Sequence, residues 1–245
     1  MANEFTINNK SPCTVICPTR DTILSATAKA ADLVGYSDGT FSGMTGTAWV
    51  SDTGAGGTAA IALDGVNDGI GLPFIIPFTA GWSVSIWFKF SALSGLTFAF
   101  ASSNSGAMRC YLAQNSGTAY IRVGDDASFL GGSVNLVLNQ WHNLVVSIAD
   151  SGTSYNGWVD GTSVGSRSMA LTTNGACGIG AFFGGVNTPS SNFATGRFDD
   201  LRIWNRSPLD SSDATAIWAA GVGRGKITAS GSARPQHPMY QQVIG

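Results

Sequence analysis

The sequence predicts an all-β fold, an antiparallel sandwich or barrel, on three observations. Only 11% of its 245 residues are charged, about half the usual share, while 32 glycines stand among many Ser, Thr and Asn, which supplies turns. Apolar residues alternate with polar ones instead of recurring every three or four. The alternating stretches are short, and each ends on a turn signal. With 44% hydrophobic residues, a chain of this length can bury a core without disulfide or metal staples.

The elements follow in order. Residues up to about 20 are polar and carry Pro12 and Pro18, which suits an extended arm better than a core strand, and the arm is drawn to residue 29. In WSVSIWFKFS (82–91), Val84, Ile86, Phe88 and Phe90 share one face and Ser83, Ser85, Trp87 and Lys89 the other, the pattern of a half-buried strand. LTFAFAS, MRCYLAQ and TAYIRVG come next, the last two joined by the hairpin loop Asn115-Ser116-Gly117. HNLVVSIAD and SYNGWVDG make a further pair, and Asp160-Gly161 offers a tight turn with positive φ. CGIGAFFGG and the opening stretch complete the series. One helix interrupts it: in SPLDSSDATAIWAAG, Asp210 or Ser211 can cap, Asp213 sits at the positive end of the dipole, and Gly221 offers an αL stop. Ile217 and Trp218 would pin this helix to the sandwich. Residues 222–245 lack periodicity and form an extended tail, which leaves 30–221 as the domain.

Charge and cysteines exclude several roles. A net charge of −2 gives no field for nucleic acid or anionic lipid, and no stretch approaches the 18 apolar residues of a membrane span. The N-terminus does not read as a secretory signal peptide, so the four cysteines (Cys13, Cys17, Cys110, Cys177) are expected as thiols, with Cys110 and Cys177 buried.

In order along the chain, IALDGVNDGIGLP (61–73), FTAGWSVSIWFKF (78–90), QWHNLVVSI (140–148), NGWVDGTSVG (156–165) and GRFDDLRIWNRSPLDSSDATAIWAAG (196–221) resemble the laminin-G-like, concanavalin A-like lectin/glucanase jelly-roll domains. The resemblance implies a two-sheet antiparallel jelly roll. Domains of this kind include lectins, adhesive modules, glycosidases and virion proteins, so it fixes the fold more closely than the function.

Catalysis is not expected. The jelly-roll glycosidases of family 16 carry clustered glutamates on one strand, because a retaining mechanism needs two carboxyl groups about 5 Å apart. This chain has a single glutamate, Glu4, in the N-terminal arm. Asp199 and Asp200 are neighbours on a strand and point to opposite faces, Asp125-Asp126 sit in a turn, and His142 and His237 belong to no triad or metal spacing. A structural calcium ion is a second expectation, with Asp64, Asn67 and Asp68 of DGVND as ligands and Asp199 as a fourth; the alternative is an Asx-turn closed on its own backbone. A sugar-binding face is the third. On regular alternation Trp87 with Lys89, Arg109 with Tyr111, and Tyr120 with Arg122 lie opposite apolar sets, a surface that stacks a sugar ring and bonds its hydroxyls, meets a protein, or simply packs.

The leading functional expectation is a non-catalytic structural or adhesive protein displayed on a self-assembling particle such as a virion. Its arms would hold neighbouring chains in a homo-oligomer or larger assembly, and its face would meet cell-surface glycan. A free lectin-like module is the alternative, and a glycoside hydrolase trails. The place is the particle exterior, or outside the cell if Met1 is not the native start. Within GRFDDLRIWNR, alternation sets Asp199 with Leu201 and Ile203 on the core side and Asp200 with Arg202 on the surface. Asp199→Ala is therefore expected to cost more stability than Asp200→Ala, whose ion pair is worth at most about 1 kcal/mol.

Overall fold

The computed structural model describes residues 7–16, 29–30, 38–44, 49–50, 59–76, 81–92, 96–102, 109–115, 118–123, 129–134, 136–168, 175–185 and 188–222. Glu4, Cys17, Pro18, the hairpin tip at 116–117, the Asp125-Asp126 turn and the tail 223–245 with His237 lie outside the described residues.

In chain order the strands are β1 (Thr14–Ile16), β2 (Lys29–Ala30), β3 (Gly39–Ser42), β4 (Trp49–Val50), β5 (Ala60–Asp64), β6 (Gly69–Ile76), β7 (Trp82–Phe90), β8 (Leu96–Ser102), β9 (Arg109–Asn115), β10 (Thr118–Val123), β11 (Phe129–Val134), β12 (His142–Ile148), β13 (Ser154–Val159), β14 (Thr162–Ser168), β15 (Gly175–Ile179), β16 (Phe182–Gly185), β17 (Thr188–Ser191) and β18 (Thr195–Asn205), followed by helix α1 (Ser211–Val222). Two antiparallel eight-stranded sheets make the sandwich. The first runs β14-β13-β12-β7-β18-β5-β4 with β1 also on β18, the second runs β11-β10-β9-β8-β15-β6-β3-β2, and β16-β17 is a separate hairpin. At the predicted turn, Asp160 and Gly161 take φ of 51° and 73° and join β13 to β14. Cys177 is buried, and burial pushes its thiol pKa up. Among the described residues no helix is long and apolar enough to cross a membrane.

On one face β7 does what its alternation predicts: Val84, Ile86, Phe88 and Phe90 enter the core between the sheets, against Ile70 and Leu72 of β6. The other face is not open to solvent as a half-buried strand requires, because β12 is buried throughout and β7 at every position but Lys89. Helix α1 and its lead-in cover that face. Ile217 packs with Val145, Trp158, Trp204 and Leu209 in a second apolar cluster, and Trp218 stacks on Trp87 with ring centroids 5.2 Å apart and planes 11° from parallel. Ser83 and Ser147 stand opposite one another in β7 and β12, and both hydroxyls accept the Leu209 N–H at 2.9 Å. Asn143 Nδ2 donates to Ser85 Oγ at 3.0 Å. Small polar residues here serve as buried acceptors for a docked segment, so their polarity does not mark exposure.

The helix start follows a capping box. Asp210 Oδ1 accepts the N–H groups of Ser212 and Asp213 at 2.8 and 3.1 Å, while Asp213 Oδ2 accepts the Asp210 N–H at 2.9 Å. The Ser212 hydroxyl and the Asp213 N–H hold the Asp210 carboxyl below its ordinary pKa. Gly221 is no stop: it lies inside α1, and a Cβ there would meet Trp87 Cζ2 at 1.8 Å. Its role is close approach.

The N-terminal segment also differs from a free arm. β1 pairs with β18, Thr14 opposite Ile203 and Ile16 opposite Leu201. Lys10 donates to Asp213 and to the Pro208 carbonyl, its own carbonyl accepts from Trp204 Nε1 at 3.2 Å, and Asn8 Nδ2 donates to Asp213 Oδ1 at 2.9 Å. Pairing with β18 and an ion pair at the helix cap make residues 7–16 part of the folded body.

Candidate functional site

Where α1 ends against Trp87, the outer face of the first sheet emerges. Register builds a row across it. Arg197 of β18 is opposite Lys89 of β7 on one side and Ala62 of β5 on the other. His142 is opposite Phe88, so Trp141, one residue before β12, falls beside Lys89, whose Nζ lies 5.5 Å from the Trp141 ring centroid. Opposed residues share a face, so Trp141, Lys89, Arg197 and Ala62 line up side by side. All four are half-buried. With strands about 4.8 Å apart, Trp141 and Arg197 stand about 10 Å from one another. An aromatic ring, an ammonium and a guanidinium thus share one shelf, and Ala62 adds only a methyl beside Arg197.

One row inward, Asn143, Trp87 and Asp199 lie under the end of the helix, all buried. One row outward, Asp64 faces Thr195 at the rim. The same end of the sheet carries the exposed Val66, Val137 and Leu138, with the Asn139 N–H bonded to Phe90 O at 2.8 Å.

Of the six expected sugar-binding residues, the structure brings only Lys89 to this shelf. Trp87 is on the predicted face but is roofed by Trp218. Arg109, Tyr111, Tyr120 and Arg122 belong to β9 and β10 in the second sheet, with Arg122 opposite Tyr111 and Tyr120 opposite Ala113, and their side chains lie outside what is described. The six therefore do not share a face: strand alternation gives parity, not which sheet a strand joins. Strand alternation does not mark Trp141 or Arg197. Trp141 sits in QWHNLVVSI just ahead of an apolar run, a position that sequence periodicity does not weigh.

The four expected calcium ligands do not converge either. Asp64 Oδ1 accepts the Val66 N–H at 2.8 Å and Asp68 Oδ2 accepts the Asp64 N–H at 2.9 Å, which is the Asx-turn alternative. Asp199 stands four residues along β18 from the partner of Asp64, about 13 Å away. Among the described residues no three His, Cys, Asp or Glu side chains gather to hold a metal. As a quartet the residues do not fit a cage of six to eight oxygens.

Asp68 has another consequence. It is 5% exposed, and its Oδ1 has no hydrogen-bond partner. Burial raises its pKa, the Asp64 N–H partly opposes this, and the neighbouring Asp64 carboxylate adds to the rise. The fold thus favours the protonated form, and that stability is complete below the ordinary carboxylate range and lost as pH climbs through the raised value. Asp68→Asn keeps an acceptor for the Asp64 N–H without the charge. In calcium-free buffer it is expected to raise Tm by a few degrees at pH 7 and to match wild type near pH 3. A lower Tm for Asp68→Asn at pH 7 would contradict this account.

His142 is a pin. Its Nδ1 lies 2.7 Å from Asp160 Oδ2 and its Nε2 3.2 Å from the backbone of Val137, while Asp160 Oδ1 accepts the Asn143 N–H at 2.8 Å. Both ring nitrogens are engaged in holding the β13–β14 turn to β12.

With this geometry in place, comparison with known proteins gives the family. A family model described as concanavalin A-like lectin/glucanases superfamily, of the laminin-G type, matches residues 56–213. The chain belongs to this superfamily. Among solved structures, domain 4 of AbnA, a GH43 extracellular arabinanase from Geobacillus stearothermophilus, in complex with arabinotriose, superposes with a TM-score of 0.61 at 18% identity, over 85% of this chain and 98% of that one. Trypanosoma rangeli sialidase gives a TM-score of 0.59 at 12% identity over 87% of this chain, which spans only 33% of that enzyme. The binding domain of Paraclostridial Mosquitocidal Protein 1 gives 0.56 at 13%, over 84% of this chain and 51% of that one. At these identities the likeness is one of fold. No curated protein matches the chain in sequence. The fold is thus shared with chains of glycoside hydrolases and with a binding domain.

Proposed function

We propose that the chain is a non-catalytic carbohydrate-binding module that takes a sugar on the shelf of Trp141, Lys89 and Arg197. The observation that carries this reading is the shelf itself: an aromatic ring and two multi-donor cations on adjacent strands of a rigid sheet, which suits an oligosaccharide better than a reacting bond. The similar domain of an extracellular arabinanase, in complex with arabinotriose, supports a reading in which this fold takes an oligosaccharide. Display on a virion or similar particle is the weaker proposal, because an assembly held by its arms needs both ends to reach a neighbour, and Thr14–Ile16 pair with β18 of their own chain.

A glycan array on the purified protein, followed by titration of the best binder with Trp141→Ala, tests the reading. Trp141→Ala is expected to weaken binding at least about tenfold, a loss of 1.4 kcal/mol, with Tm unchanged. No bound glycan on the array, or affinity indifferent to Trp141, would overturn it.

A further inference from the structure

We infer that His142 is a protonation switch for the turn that leads into Trp141; its bearing on sugar rests on the reading above, while the switch itself stands on the geometry around the ring. His142 is buried at the start of β12, opposite Phe88 on the core side of the sheet. Its Nδ1 lies 2.7 Å from Asp160 Oδ2, and the other carboxylate oxygen accepts the Asn143 N–H at 2.8 Å. Its Nε2 has two partners on one residue: the Val137 N–H, placed to donate to it at 3.2 Å, and the Val137 carbonyl, placed to accept from it at 3.2 Å. Val137 also closes a turn, since its carbonyl accepts the Gln140 N–H at 3.2 Å. Asn139, at a φ of 63°, ties that turn to β7 by donating its N–H to Phe90 O at 2.8 Å. Trp141 is the next residue in the chain.

The charge on the ring decides which group of Val137 it uses. A carboxylate only accepts, so the neutral ring carries its proton on Nδ1, toward Asp160, and leaves Nε2 bare to accept the Val137 N–H. The charged ring carries a proton on both nitrogens. Nε2 then donates to the Val137 carbonyl, and the Val137 N–H, now facing another N–H, loses its acceptor. The turn must therefore tilt with each protonation, in the pH range where imidazole side chains change charge. Among the described residues, Asp160 is the ionisable group that faces the ring. β7 brings Phe88, while its Lys89 belongs to the other face, over Trp141. The turn itself brings Val137, Leu138, Asn139 and Gln140, and β12 continues into Asn143 and Leu144. Behind Gly161, α1 brings Thr215 and Trp218, and β11, which borders β13 and β14, has no ionisable residue in FLGGSV.

The test is a titration of the full chain from about pH 4.5 to 8, followed by NMR at the His142 ring, the Val137 amide and the Trp141 indole N–H. Affinity for the tightest glycan of the array is measured at both ends of that range. In wild type all three signals are expected to move with one midpoint, and affinity to fall about fivefold at the acid end, where the Val137 N–H has lost its acceptor. In His142→Gln, which cannot change charge, Val137 and Trp141 should stay still and the two affinities should agree. Asp160→Asn gives a second reading on a backbone whose positive φ Asn tolerates. The Asn143 N–H can only donate, so it keeps the amide oxygen, and the amide NH2 turns to Nδ1. The neutral ring must then hold its proton on Nε2 and bond the Val137 carbonyl, so the Val137 amide of this variant should sit near the acid wild-type position throughout. The Tm of each variant, read alongside, separates switching from unfolding. A Val137 amide that stays still while the His142 ring titrates, or a ring that keeps one charge across the range, would overturn the switch. A moving Val137 amide with a still Trp141 indole, or with equal affinities, would overturn its reach to the shelf. An empty array sinks the sugar reading, and the amide and indole signals still decide the switch.

Discussion

Arg202→Met is expected to destabilise the protein by about 3–5 kcal/mol, the loss that follows when one partner of a buried ion pair is removed. Arg202 Nε and Nη2 each donate to Asp200 at 2.7 Å, one to either carboxylate oxygen, and the two residues are only 7% and 4% exposed. Alternation through GRFDDLRIWNR had made this a surface pair and put Asp199 on the core side. A bulge reverses that. Asp199 is opposite Trp87 and Arg202 opposite Ser85, so Asp200 and Leu201 together face Ile86 alone, and Asp200 takes a φ of 48°. Phe198, Leu201 and Ile203 therefore enter the core, while Asp199 falls on the outer face beside Trp87. The expected order of the aspartates is reversed too: Asp200→Ala should now cost more than Asp199→Ala, because it strands a buried guanidinium and puts a poorly suited residue at positive φ. Asp200→Asn keeps the residue type that tolerates this backbone, so Asp200→Asn with Arg202→Met should recover a large part of the loss. Urea unfolding of the four variants measures this. An Arg202→Met cost below about 1 kcal/mol would return the pair to the surface class.

What sequence could and could not reveal divides along physical lines. The core face of β7 was legible because Val84, Ile86, Phe88 and Phe90 repeat at the strand period, and the helix start because Asp210 and Asp213 stand at capping spacing. Each is a local signal. The burial of Ser83 and Ser85 was not legible, since it depends on Leu209 arriving from more than a hundred residues away to use the serine hydroxyls of β7 and β12. The bulge at Asp200 was hidden for the same reason: an extra residue is defined only against a partner strand, and parity read along one strand carries straight through it. The candidate site shows the limit most clearly. Lys89 lies in β7, Arg197 in β18 and Trp141 just before β12, and the order of these strands in the sheet, β12-β7-β18, departs from chain order, so only the register places them together.

Trp87→Ala carries the other large expected effect, about 3–5 kcal/mol for an emptied aromatic site, with the helix loosened as well. Trp87 is buried between the sheet and α1, with the Trp218 ring stacked on it and Gly221 closed against its edge. Gly221 gives the sharper test because two effects predict opposite signs. On helix propensity alone Gly221→Ala should stabilise α1 by about 1 kcal/mol. The Cβ it adds would fall 1.8 Å from Trp87 Cζ2, an overlap that neither the helix backbone nor a stacked indole can relieve without moving. Overpacking of this kind costs about 1–3 kcal/mol, so the net sign should be destabilising. In a Trp87→Leu background the overlap is gone, and Gly221→Ala should become neutral or stabilising, a coupling that thermal unfolding of the four proteins reads directly. If Gly221→Ala stabilises the wild-type chain, the close approach of α1 to β7 is refuted. The same packing fixes what Trp87 can report about ligands: loss of glycan binding in Trp87→Ala would follow from a loosened helix beside Lys89, whereas Trp141→Ala and Arg197→Gln alter the shelf with the helix still docked.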